Sequence, residues 1–118
     1  DCHYLDVAEL CVPNIRFFVA REGDATLGCV ALANKGAYGE IKSMFVHPEA
    51  RGKGLAERLL AYIEGEALAQ DLSEIKLETG EALASACRLY RRNGYVDCGP
   101  FGDYEECKAS TFMTKSLA

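Results

Sequence analysis

No apolar run in this sequence is long enough to cross a bilayer as a helix. No secretory signal opens it either. Together these absences lead to the expectation of a cytoplasmic protein with no membrane partner. None of the six cysteines forms a C-x-x-C pair, and only two histidines are present, so no metal site is expected. Basic residues are not in excess. The formal net charge is −5, which disfavours nucleic acid as a partner, because such proteins carry a basic face. There is no internal repeat, linker or low-complexity stretch. A starting methionine is also lacking. The chain begins at Asp1 in what reads as the middle of an element, so part of the natural protein is expected to precede it.

What is present fits one small domain. The chain has 118 residues, 49% of them apolar and 26% charged. Cys29 and Cys87 sit in apolar patterns and read as small core residues. The six thiols are read as reduced, although an even number also permits disulfides. Arg51, Lys53 and Arg58 lie close together, as do Arg88, Arg91 and Arg92. Local basic spots on an acidic chain suit a small anionic ligand.

Hydrophobic spacing orders the elements. Residues 4–12 read as a short helix stopped by Pro13. Ile15 to Arg21, rich in branched and aromatic residues, reads as a strand, and Thr26 to Ala33 as its hairpin partner. Tyr38 to His47 is a third strand, ended by Pro48, and the three form an antiparallel meander. From Gly52 to about Gln70 the pattern is helical. Leu55, Leu59, Ile63 and Ala67 repeat every four residues, widened by Ala56, Leu60 and Leu68. Glu74 to Thr79 is a strand. Glu81 to Asn93 is a second long helix, buried through Leu83, Ala86, Leu89 and Tyr90, with Gly94 placed to end it. Tyr95 to Cys98 and Thr111 to Leu117 are the last strands. The result is one α/β domain with a mixed sheet.

The chemistry concentrates after Val46. A pyrophosphate needs backbone N–H donors that can approach closely, and a glycine-rich turn into a helix N-terminus supplies them. Arg51-Gly52-Lys53-Gly54-Leu55-Ala56 is such a turn. Two glycines clear the approach, and Arg51 and Lys53 add charge. It is not a P-loop, since Lys53 is followed by Gly54, nor a dinucleotide fingerprint, since position 57 is Glu. The plain alternative is a glycine-rich start to an ordinary helix.

Met44-Phe45-Val46-His47-Pro48-Glu49-Ala50-Arg51-Gly52-Lys53-Gly54-Leu55-Ala56 resembles motif A of the GNAT acetyltransferases. Arg51, Gly54 and Ala56 match that family's [RQ]-x-x-G-x-[GA] pattern. Leu89-Tyr90-Arg91-Arg92-Asn93-Gly94-Tyr95 resembles its L-Y-x-x-x-G-[FY] segment. Pro100-Phe101-Gly102-x-Tyr104, then Ser110-x-Phe112-Met113-x-Lys115-x-Leu117, is similar to a subgroup of small GNAT enzymes. The resemblance covers nearly all of residues 4–118. It implies an N-terminally incomplete GNAT domain, lacking the usual first strand and helix and leaving an open sheet edge beside residues 15–21.

The resemblance also implies a reaction: transfer of an acetyl group from acetyl-CoA to a primary amine by direct attack. Acetyl-CoA is expected in a splay between the strands at 38–47 and 74–79. A bulge in the first strand would aim the N–H of Phe45 or Met44 at the thioester oxygen. Phe45 and Val46 would pair with pantetheine. The N–H groups of residues 52–56 would hold the pyrophosphate, flanked by Arg51 and Lys53. Tyr90 is the candidate general acid, against the alternative of a core tyrosine whose hydroxyl is bonded locally. Glu40 is the candidate base, directly or through water, against the alternative of a solvated strand carboxylate, and Glu78 is a second candidate. His47 reads as structural or exposed. Leu83 stands where many family members carry a cofactor-contacting asparagine, and Ser85 replaces it only in part. Phe17, Tyr38, Phe101 and Tyr104 are candidates for the acceptor pocket, and packing is the commoner fate of such aromatics. The acceptor is expected to be a small molecule, and the final strands to form a possible homodimer. Two other readings stand beside the enzyme: a non-catalytic acyl-CoA-binding module and an interaction protein using the fold alone.

Overall fold

The computed structural model describes residues 14–80 and 84–117. The helix expected at 4–12 and Leu83 lie outside the described residues. Strands β1 (Ile15–Glu22), β2 (Ala25–Asn34) and β3 (Gly39–Val46) form the antiparallel meander that the branched and aromatic runs indicate. A 3₁₀ turn at Pro48–Ala50 leads towards helix α1 (Leu55–Ala69). Strand β4 (Glu74–Gly80) then pairs parallel to β3, because a crossover as long as α1 brings the chain back to the same end of the sheet. Helix α2 (Ala84–Arg92), strand β5 (Val96–Cys98) and strand β6 (Ser110–Ser116) follow. The sheet order is β1-β2-β3-β4-β6-β5, so β1 is an edge strand among the described residues.

Both helices pack on one face of the sheet. Val30, Leu32, Ile41, Ile75, Leu77 and Met113 point towards that face. Leu59, Leu60, Ile63 and Ala67 of α1 meet them, with Cys87 and Tyr90 of α2. Leu68, expected in the α1 stripe, is instead 51% exposed. At 100° per residue it stands about 140° round from Ile63, beyond the arc that the sheet covers.

The two helices end in the same way. In α2 the N–H of Tyr95 reaches the carbonyl of Tyr90 and that of Gly94 reaches Arg91, with Gly94 at φ 94°. In α1 the N–H of Leu72 reaches Ala67 and that of Asp71 reaches Leu68, with Asp71 at φ 63°. Both are Schellman motifs, in which a left-handed residue turns the chain back on the helix end. Each also folds a buried residue, Tyr95 or Leu72, against the helix it closes. Among the described residues, no helix is long and apolar enough to cross a membrane.

Candidate active site

The site begins where two strands part. β3 and β4 pair only through Gly39 with Ile75, Glu40 with Lys76 and Ile41 with Leu77. Beyond Ile41 the two strands no longer pair with each other, although β4 stays bonded to β6 as far as Gly80. The cause lies in β3. Cys29 of β2 faces Phe45, but Ala31 faces Lys42, so β3 carries one extra residue between them. Such a bulge bends the strand and increases its twist, turning β3 away from β4. Ser43 takes a left-handed conformation there, with φ 55°. The carbonyl of Ser43 accepts a hydrogen bond from the Cys29 thiol at 3.5 Å.

The turn after β3 presents backbone. Gly52 and Gly54 have φ of 78° and 77°, values that L side chains rarely adopt. Gly54 is the N-cap of α1 and carries no side chain to cap its first turn. The positive end of the helix dipole is therefore open to an anion. The Arg51 guanidinium donates from Nε to the carbonyl of Val46 at 3.2 Å, tying the turn to the end of β3. His47 is exposed, and its Nδ1 accepts the N–H of Glu49 at 3.3 Å, so its role is to start the 3₁₀ turn.

A cavity of about 740 Å³ occupies this corner. β3 contributes Met44, Phe45 and Val46. The turn and the start of α1 contribute Ala50, Arg51, Gly52, Gly54, Leu55, Ala56 and Glu57. α2 contributes Ser85, Ala86, Leu89, Tyr90 and Arg92. Of the residues expected around a cofactor, Lys53 is exposed and is not among those lining the cavity. Arg92, from the second of the basic spots in the sequence, and Glu57, not expected at the site, are lining residues as well. They bond across the two helices, Arg92 to Glu57 at 2.7 Å, and this hydrogen bond holds the Glu57 carboxyl below its ordinary range.

Tyr90 forms part of the cavity wall from α2 and is 6% exposed. Its ring stands edge-on to Tyr95, with centroids 5.7 Å apart. Tyr90 also belongs to the buried core between α2 and the sheet. Burial, followed by the charge of Cys87, pushes the phenol up to about 12. It is a neutral donor at physiological pH.

Glu40 lies on the other face of the sheet, two residues before Lys42 and opposite Lys76. It is 3% exposed and so is not the solvated carboxylate that one reading allowed. The Tyr104 hydroxyl donates to its Oε2 at 2.6 Å, and Lys42 Nζ lies 3.4 Å from the same oxygen. Burial, and next the hydrogen bond to Glu40, raise the Tyr104 phenol well above its ordinary value. Phe101 stands edge-on to Tyr38, Tyr104 and Phe112, giving this face an aromatic wall. Glu78, on the same face, accepts from Ser110 Oγ at 2.7 Å. Phe17 also lies on this face, opposite Ala31 of β2. The spacing of Glu40 and Lys42 on one strand face was available from the sequence. Their contact with Tyr104 was not.

The residues fit an acyl-CoA on two observations: a cavity of nucleotide size with open backbone at the start of α1, and a strand gap beside it. Residues 13–97 match the family model described as an acetyltransferase (GNAT) domain. The chain is 49% identical to an Azospirillum brasilense protein described as an IAA acetyltransferase, over 98% of this chain and 76% of that protein. Its fold matches a Klebsiella pneumoniae protein described as an acyl-CoA N-acyltransferase with a TM-score of 0.88 and 34% identity, covering 97% of this chain and 80% of that one. It also matches an Elizabethkingia anophelis GNAT acetyltransferase with acetyl-CoA bound. There the TM-score is 0.76 at 18% identity, over 88% and 77% of the two chains, a likeness of fold alone.

Proposed function

This chain belongs to the GNAT acetyltransferase family, and from that premise we propose that it acetylates a primary amine of a small molecule by direct attack within a ternary complex. It is an acetyltransferase and its acetyl donor is acetyl-CoA. When bound, acetyl-CoA supplies an activated thioester. The observation that carries the proposal is the meeting of the bulged β3, the open α1 N-terminus and Tyr90 on one cavity.

In this reading each group has one task. The amides of residues 52–56 hold the diphosphate, with Arg51 and Lys53 adding positive charge. The backbone of Phe45 and Val46 pairs with the pantetheine amides. The N–H of Phe45 or Met44, turned by the bulge, stabilises the oxygen that becomes negative during attack. Tyr90 gives its proton to the departing thiolate. Glu40, Glu78 or a water held by them takes the proton from the acceptor ammonium. Ser85, on the cavity wall, supplies part of the contact expected of an asparagine at position 83.

The reading includes membership of the subgroup with the Pro100-Phe101-Gly102-x-Tyr104 segment, a single GNAT domain, and a cytoplasmic setting. The four described cysteines, Cys29, Cys87, Cys98 and Cys107, are free thiols, which supports that setting. It also includes a homodimer through the β5 end of the sheet, where Val96 is 60% exposed.

A thiol-release assay with acetyl-CoA and a panel of alkylamines, aralkylamines and amino acids tests the substrate class. IAA belongs in the panel, since one relative is described by it. Turnover with a primary amine supports the proposal. Turnover with IAA and with no amine overturns it.

A further inference from the structure

We propose that Tyr104 is a positioning residue which, with Lys42, holds one oxygen of Glu40 so that the other faces the acceptor as the proton-accepting atom. This rests on the reading of Glu40 as the base.

The contact is built by two pieces of chain far apart in sequence. Glu40 and Lys42 sit on the same face of β3, and Tyr104 arrives from the loop between β5 and β6, 64 residues away in sequence. Both groups meet Oε2, Tyr104 by a hydrogen bond of 2.6 Å and Lys42 Nζ as an ion pair at 3.4 Å. Lys42 Nζ also lies 3.5 Å from the Tyr104 hydroxyl, so the three groups close a triangle. No described residue donates to Oε1. A carboxylate buried to 3% exposure and held at one oxygen cannot rotate freely. Its second oxygen therefore has a fixed direction, as a base acting at hydrogen-bond range requires.

The loop is shaped to deliver that hydroxyl. Gly102 takes φ 59°, and a Cβ there would meet the Tyr38 hydroxyl at 3.2 Å. The Tyr104 N–H closes the turn onto the Phe101 carbonyl at 3.1 Å. Phe101 then anchors the loop against Tyr38 and Phe112. The Pro100-Phe101-Gly102-x-Tyr104 segment is thus explained as a device for seating one phenol on one carboxylate.

The other ionisable groups around Glu40 are Lys76 and Glu78 of β4, Tyr38 ahead of β3, and Asp103 beside Tyr104. Tyr104→Phe leaves all of them and keeps the ring, removing only the donor. Lys42→Met tests the ion pair.

Two measurements decide the matter. In the first, the carboxyl carbon of Glu40 is followed by NMR against pH, without acceptor, and assigned by its loss in Glu40→Gln. Removing a donor from the charged form makes the carboxylate easier to protonate, so the midpoint in Tyr104→Phe is expected about one pH unit higher than in the parent protein. In the second, kcat/KM for the fastest amine of the panel is measured against pH. Tyr104→Phe is expected to lower it on the order of tenfold and to move its acid limb up, with KM for acetyl-CoA unchanged. An unmoved NMR midpoint and acid limb in Tyr104→Phe, with the limb abolished in Glu40→Gln, overturns the positioning role alone. An acid limb that survives in Glu40→Gln overturns the base reading and this proposal with it.

Discussion

The N–H of Tyr95 bonds the carbonyl of Tyr90 at 3.0 Å, and their rings meet edge-on at 5.7 Å. The motif that ends α2 thus also seats the candidate acid. Tyr95 is held in turn by Glu64, which accepts its hydroxyl at 2.9 Å and Lys115 at 3.1 Å. Tyr90 can therefore lose its hydroxyl without losing its place. Tyr90→Phe is expected to lower kcat about 100-fold, with acetyl-CoA binding and thermal midpoint little changed. Steady-state kinetics and a melting curve check this.

Raised tyrosines set an alkaline limit. The Tyr90 phenol moves from 10.0 to about 12 on folding, chiefly by burial. Tyr95 and Tyr104 are raised in the same direction, again mainly by burial. A group whose folded value exceeds its unfolded value stabilises the fold fully below the unfolded value, and that stability is lost as pH rises through the folded one. For Tyr90 the contribution is about 3 kcal/mol. Denaturant midpoints are expected to be flat from pH 7 to 9 and to fall steeply between pH 10 and 12. Tyr90→Phe is expected to soften that fall.

Asp71 occupies the left-handed position at the end of α1 that Gly94 occupies at the end of α2. An L side chain is strained there and glycine is not. Asp71→Gly is expected to stabilise the protein by about 0.5–1 kcal/mol, and Gly94→Ala to destabilise it by about 1–2 kcal/mol. In the second case the new Cβ also meets Lys115 Cε at 3.3 Å. Urea unfolding of both variants measures the difference.

This asymmetry also shows what the sequence carries openly. Gly94 announces a helix end, because glycine is the residue that the motif favours. Asp71 does the same work and reads as a connector, because aspartate is common in many kinds of turn. The meander and the order of elements are legible from β-branched runs and a four-residue repeat, both local signals. The backbone-presenting turn before α1 is legible because its two glycines lie within three residues. Ser43 is different. A bulge depends on register against β2, which no local pattern reveals, so the one expected in this strand came from the family resemblance alone. The triangle of Glu40, Lys42 and Tyr104 joins the chain across 64 residues and was visible only as an aromatic expected near the acceptor. Neighbourhood in sequence put Lys53 and Arg92 in two separate basic spots, and of the two the fold brings Arg92 onto the cavity wall.

Gly54 joins the turn to α1, and a Cβ there meets nothing within 4 Å. Substitution therefore acts through the backbone at φ 77° and not through crowding. Gly54→Ala is expected to cost about 1–2 kcal/mol of stability and to raise the Kd for CoA more than tenfold, because the amides of the first helical turn are re-aimed. Calorimetric titration with CoA, at a temperature where the variant is folded, checks the second effect.

The most direct measurement is a crystal structure of the protein with CoA. The account expects the diphosphate within hydrogen-bonding distance of the N–H groups of residues 52–56, and the pantetheine running beside Phe45 and Val46 into the gap between β3 and β4. A diphosphate bound elsewhere, or a gap closed by side chains with CoA at saturating concentration, would contradict it.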